Sequence, residues 1–207
     1  MSTAANYILL DAARMADEID KALELNKSGK TLFSGKSEHI LVSVSPYLFN
    51  YKPETDFSKW HSENGWGNSW GVYVLCYNDF ESLHKHFRKF ILVKTEDGEE
   101  LYFRFYDPRV LRIFLPTCDE EQLKEFFGPV KAYLMEDDDP AFGIIFTLNQ
   151  SKELVTQKVS KEDFEKALSF GLESIKKDPV VVKEKTAAPE NKKDKPSGNK
   201  GRFSIID

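Results

Sequence analysis

Phe90-Ile91-Leu92-Val93-Lys94-Thr95-Glu96-Asp97-Gly98-Glu99-Glu100-Leu101-Tyr102-Phe103-Arg104-Phe105-Tyr106-Asp107-Pro108-Arg109 is the stretch that decides the fold class. Two runs rich in β-branched and aromatic residues flank Glu96-Asp97-Gly98-Glu99, and an Asp-Gly pair between such runs predicts a hairpin. The second run stops at Asp107-Pro108, where proline suits the first turn of a helix; Val110, Leu111 and Phe114 then follow at helical spacing. Strands that hand over to a helix within twenty residues predict an α+β (mixed α/β) protein.

The flanking sequence agrees. Asn6-Tyr7-Ile8-Leu9-Leu10 reads as a short buried strand, and Asp11 stands where an N-cap belongs, before a helix over roughly 12–26. Thr31-Leu32-Phe33 and Ile40-Leu41-Val42-Ser43-Val44 read as strands broken by Gly35 and Pro46. Residues 56–64 predict a helix closed by Gly65. Trp70-Gly71-Val72-Tyr73-Val74-Leu75 predicts a strand, and Asn78 with Glu81 a capping-box-like start to a helix over 79–89. Asp119 and Gln122 open another helix, which Gly128-Pro129 ends. Strands are expected again at 130–135, 142–148 and 154–156, with Glu136-Asp137-Asp138-Asp139-Pro140 as an acidic turn. Ser160 with Asp163 opens a helix over about 161–177. Beyond about 183, Lys, Glu, Pro, Asn and Gly dominate and predict a disordered tail.

At 207 residues the chain is long enough to bury a sizeable core. Its net charge of −5 is uneven: residues 183–207 carry seven Lys/Arg against four Asp/Glu, which leaves −8 on residues 1–182. An acidic body argues against nucleic acid as the main partner, because phosphate binding needs a basic face. Cys76 and Cys118 lie far apart in apolar surroundings and suggest no disulfide scaffold. The N-terminus lacks the charged and apolar regions of a secretory signal, and no apolar run reaches transmembrane length. A reducing, cytoplasmic setting and no membrane association are expected.

No stretch carries a phosphate loop, a nucleophile elbow or metal-ligand spacing, so no catalytic, cofactor or metal site is expected. Gly65-Trp66-Gly67-Asn68-Ser69-Trp70-Gly71 describes a backbone that turns tightly beside two large rings. Trp66 and Trp70 fit either a binding surface or a glycine-rich corner with two core rings. Arg104, Asp107 and Arg109 form the densest charged cluster, read as an ion-pair network joining strand, turn and helix; facing outward, the arginines would suit a carboxylate on a partner. Asp11 with Arg14 reads as a helix cap with a nearby salt bridge. His84 and His86 point about 200° apart on a helix and cannot share a metal; with Lys85, Arg88 and Lys89 they read as a solvated face. The Glu136–Asp139 run lacks calcium-loop spacing and reads as a solvated turn. The basic tail reads either as a solubilising extension or as a tether presenting Phe203, Ile205 and Ile206, whose alternation suits a linear motif that adds a strand to a partner's sheet edge.

Four stretches resemble a family of small adaptor proteins that accompany effectors of the bacterial type VI secretion system. They are Tyr7-Ile8-Leu9-Leu10-Asp11-Ala12-Ala13-Arg14, Ser45-Pro46-Tyr47-Leu48, the Gly65–Gly71 run, and Phe103-Arg104-Phe105-Tyr106-Asp107-Pro108-Arg109. Phe126-Phe127-Gly128-Pro129-Val130 is a weaker fifth. The resemblance implies a non-catalytic chaperone that binds a toxic effector and helps load it onto the VgrG spike, with both as partners. It implies an adaptor-type lobe over 1–135 and a divergent lobe over 136–182, and says nothing of the basic tail over 183–207, which rests on composition alone. Trp66, Trp70, Arg104, Asp107 and Arg109 are then the residues expected to bind a partner or shape the binding lobe. Two other classes stay open: an immunity protein that neutralises a toxin, and a small hydrolase using acidic residues near Asp11 or Asp107.

Overall fold

The computed structural model describes residues 5–33, 44–94 and 98–175, together with the backbone of 204–205. The elements run in the order β1 (Ala5–Asp11), α1 (Ala12–Met15), α2 (Glu18–Leu25), β2 (Lys30–Thr31), β3 (Pro46–Tyr51), α3 (Asp56–Asn64) and β4 (Gly71–Cys76). Next come α4 (Phe80–Arg88), β5 (Leu92–Lys94), β6 (Glu100–Tyr102), α5 (Pro108–Phe114) and α6 (Glu120–Phe127). The remainder is β7 (Val130–Glu136), β8 (Phe142–Leu148), β9 (Leu154–Ser160), α7 (Lys161–Phe170) and β10 (Ser204–Ile205). The protein is α+β, as the hairpin-to-helix stretch predicts.

Seven strands form one antiparallel sheet in the order β2-β3-β1-β4-β7-β8-β9. Both faces are covered. Because successive strand residues point to opposite sides, Tyr7 and Leu9 pack on one face with Leu83, Phe87, Leu111, Leu123 and Phe126 of α4–α6. Ile8 and Leu10 pack on the other face with Met15, Ile19, Phe57 and Phe164 of α1, α2, α3 and α7. Strands β4 and β7 are hydrogen-bonded neighbours, although α4, the β5–β6 hairpin, α5 and α6 lie between them in sequence. Stretches 1–135 and 136–182 therefore share a single sheet: β7 pairs with β4 on one side and β8 on the other.

Several details differ from the sequence expectation. The helix over 12–26 is two helices, broken at Ala16, whose φ of 51° is positive; Met15 and Ile19, on either side of the break, are both buried. Pro46 opens β3 instead of interrupting a strand, since a first strand residue needs no amide donor. Helix α4 is capped by Asp79, which accepts from the Ser82 amide at 2.8 Å, and not by Asn78. The second hairpin run ends at Tyr102 because Phe105 and Tyr106 turn into the core. Helix α7 stops at Phe170, where Gly171 takes a φ of 88°. The strand expected at 40–44 falls mostly outside the described residues, as does most of the 183–207 tail.

Candidate functional site

Strand β1 ends in Asp11, and the chain turns there into α1. The Asp11 carboxylate caps that helix by accepting from the Ala13 amide at 3.1 Å. Its other oxygen accepts from the Arg104 guanidinium at 2.5 Å, a bond between residues 93 apart in sequence. Asp107 performs the matching task on α5, where Pro108 occupies the first turn. One Asp107 oxygen accepts from the amide and Nε of Arg109, both at 3.0 Å; the other accepts from Arg109 Nη2 at 2.7 Å. Arg104 lies 3.5 Å from Asp107 and so bridges the two caps. The carboxylates are buried, while both arginines keep close to half of their side chains exposed. The expected Arg104–Asp107–Arg109 network is present and gains Asp11. Arg14 is no part of it: its guanidinium donates to the Asn68 carbonyl at 2.9 Å.

Burial pushes the Asp11 carboxyl above its ordinary range, and Arg104 only partly counters that. At Asp107 burial pulls the same way but is outweighed by the Arg109 hydrogen bonds and the two arginine charges. Its carboxyl is therefore held below the usual range. Burial and the nearby Asp11 charge push the Tyr106 hydroxyl up to about 12.

The glycine-rich corner adjoins this network, because the Asp11 amide donates to the Trp70 carbonyl at 2.8 Å and the Ala12 amide to the Ser45 carbonyl at 3.3 Å. Gly71 must be glycine: a Cβ there would sit 2.0 Å from the Leu9 carbonyl oxygen. Gly67 takes a φ of 86°, which turns the loop so that its amides face inward. They meet the buried Glu136 carboxylate, which accepts from the amides of Gly67 (2.5 Å) and Ser69 (2.6 Å) and from the Ser69 hydroxyl (3.0 Å). Arg112 donates to the Glu136 carbonyl at 2.6 Å and pairs with Asp138. Trp66 Nε1 donates to the Pro140 carbonyl at 2.7 Å, and its ring meets Phe164 edge-on at 4.8 Å. Trp70 is buried beside Trp60 and His61. Trp66 thus ties the corner to the β7–β8 turn and α7, and Trp70 ties it to α3.

Glu136 and Arg112 were missed by sequence reasoning, and Glu136 corrects one expectation: it closes β7 and grips a loop instead of lying in a solvated turn. The signal was its position directly after the apolar run 130–135. His84 and His86 correct another. Both are buried, with Nε2 of His84 donating to the Thr31 carbonyl (2.7 Å) and Nε2 of His86 to the Phe126 carbonyl (3.0 Å), while Lys85, Arg88 and Lys89 are exposed. Among the described residues, no group of three or more His, Cys, Asp or Glu is placed to hold a metal ion. No described helix is long and apolar enough to cross a membrane. Of the tail motif, the Ile205 backbone pairs with β5, and Phe203 and Ile206 lie outside the described residues.

The first four motif stretches of the sequence therefore converge on one end of an antiparallel sheet and close a polar frame around Asp11. The family described as Domain of unknown function (DUF4123) matches residues 6–125, more than half of the chain, and the chain belongs to that family. No curated protein and no solved structure matches it.

Proposed function

We propose that this protein is a non-catalytic adaptor: a cytoplasmic chaperone that binds a type VI secretion effector and promotes its loading onto the VgrG spike. The family match supports the general assignment. The observation that carries the reading is the closed frame. Every carboxylate oxygen of Asp11, Asp107 and Glu136 has a donor from the same chain. Groups engaged in this way fix the shape of a surface and are not free to transfer protons to a ligand. The partners are the effector and the spike, with no nucleic acid, membrane or cofactor, and specific binding needs an interface on the order of 1,600 Å² in total.

One observation favours a hydrolase instead, the raised pKa of Asp11. Against it, Asp11 is 0% exposed, with one oxygen on an amide and the other on Arg104, so no substrate reaches it without opening the frame. The decisive experiment is co-expression with the effector encoded beside this gene, followed by size-exclusion chromatography with light scattering. A stable complex on which effector solubility depends is the expected result. A complex that abolishes toxin activity makes the protein an immunity factor. An effector soluble alone and never bound overturns both readings.

A further inference from the structure

The β5–β6 hairpin forms a second, three-stranded sheet in the order β10-β5-β6. Its third strand is the far end of the chain: Ser204 pairs antiparallel with Lys94, and Ile205 with Val93. Without it, β5 would present a bare row of amides and carbonyls, the ordinary template for strand addition. Val93, the register partner of Ile205, also lines a small apolar cleft with Phe90, Phe103, Phe114, Phe126 and Glu125. The cleft holds about 40 Å³, far below the several hundred that a small-molecule site needs, and suited to the tip of a side chain. Edge and cleft together are what strand-addition sites offer: backbone pairing for affinity and a pocket for one alternate side chain.

We propose that the β5 edge and this cleft are a strand-acceptor site whose edge is occupied in cis by Ser204–Ile205, and that an extended partner segment with alternating apolar residues enters only by displacing that strand. Twenty-eight residues separate Ile175 from Ser204. At about 3.3 Å each they span several times the ~16 Å radius expected for a body of this size, so chain length does not force the pairing. The basic tail and the acidic body attract one another. A connection of this length holds the strand at an effective concentration on the order of millimolar, which a competitor must exceed. The proposal stands apart from the adaptor reading, since it concerns what β5 accepts and not which protein supplies it.

The test uses the full chain. Lys94→Cys with Ser204→Cys, under mild oxidation, is expected to give a 94–204 link within a monomer, read by peptide mass mapping. Lys94→Cys with Glu100→Cys serves as the control, because those positions face each other across β5 and β6. No 94–204 link where the control links, or a link found only in dimers, overturns cis occupancy. The second arm measures fluorescence anisotropy of a labelled peptide copying Gly201–Asp207. A chain carrying Ser204→Pro and Ile205→Pro, unable to pair its own strand, is expected to bind it at least tenfold more tightly than the natural chain, and a scrambled peptide should not bind. Equal affinities for the two chains overturn the acceptor site.

Discussion

Around Asp11 each carboxylate oxygen is met by a donor from a neighbouring loop or helix, whereas along β5 the backbone edge is met by two residues from the far end of the chain. The first arrangement joins β1, the glycine corner, α5 and β7 into a frame that binding cannot loosen without exposing buried charge. The second rests on the backbone pairing of one two-residue strand, Ser204–Ile205. Within one protein, the region rich in recognisable motifs is cross-linked by buried polar bonds, and the hairpin edge is met by a two-residue strand.

The largest expected break in the frame is Gly71→Ala. Its Cβ would meet the Leu9 carbonyl at 2.0 Å, so β1 and β4 must part; the loss should exceed about 4 kcal/mol or leave no folded protein by circular dichroism. Survival with a normal unfolding midpoint would show the frame to be slack. Glu136→Ala is next. Two loop amides and a hydroxyl lose their charged acceptor, for an expected cost of about 3 kcal/mol in urea unfolding; less than 1 would mean that the corner closes without its grip.

Acid separates the corner from the carboxylates. Burial lowers the His61 pKa to about 4 from 6.5. Between those values the unfolded chain binds the proton and the folded chain does not. Stability should therefore fall by about 3 kcal/mol as pH drops from about 6.5 to about 4. His84 and His86, also held down by burial, add with the same sign. Asp107, depressed, contributes stability above the ordinary carboxylate range that is lost as pH falls through its folded pKa; Asp11, raised, contributes stability that is lost as pH rises through its own. The two oppose each other, so His61→Phe should flatten most of the slope in that window, and an unchanged slope would assign it elsewhere.

The smallest effects separate the two arginines. Arg104→Ala strips a buried carboxylate of its charge partner and should cost about 2 kcal/mol, below the full value for a buried pair because the guanidinium is 42% exposed. Arg109→Ala should cost less than about 1 kcal/mol, since its side chain is 47% exposed and Asp107 keeps both the Arg109 amide and Arg104. Effector binding lost at position 109 in a stable variant would place the partner on the frame; binding and stability both untouched would remove Arg109 from the interface.

Local chemistry made much of this legible. Asp11, Ser160 and the Asp119–Gln122 box announce helix starts because a cap needs only residues within one turn. The Arg104–Asp107–Arg109 network was visible because its members are near neighbours. The Asp11–Arg104 bond was not, as nothing local pairs residues 93 apart. Glu136 was masked by the three aspartates that follow it. His84 and His86 resembled a solvated face because the core encloses both flanks of α4, which a single amphipathic stripe does not describe.

Strand β7 has one more consequence, for synthesis. The family match ends at residue 125, five residues before β7 begins, and the carboxylate that orders the glycine corner arrives only at 136. On the ribosome, β4 must wait more than fifty residues for its neighbour, its apolar edge uncovered meanwhile. A fragment cut at 125 would stay at that nascent stage, with four of the seven strands of the large sheet and a loop that nothing yet grips.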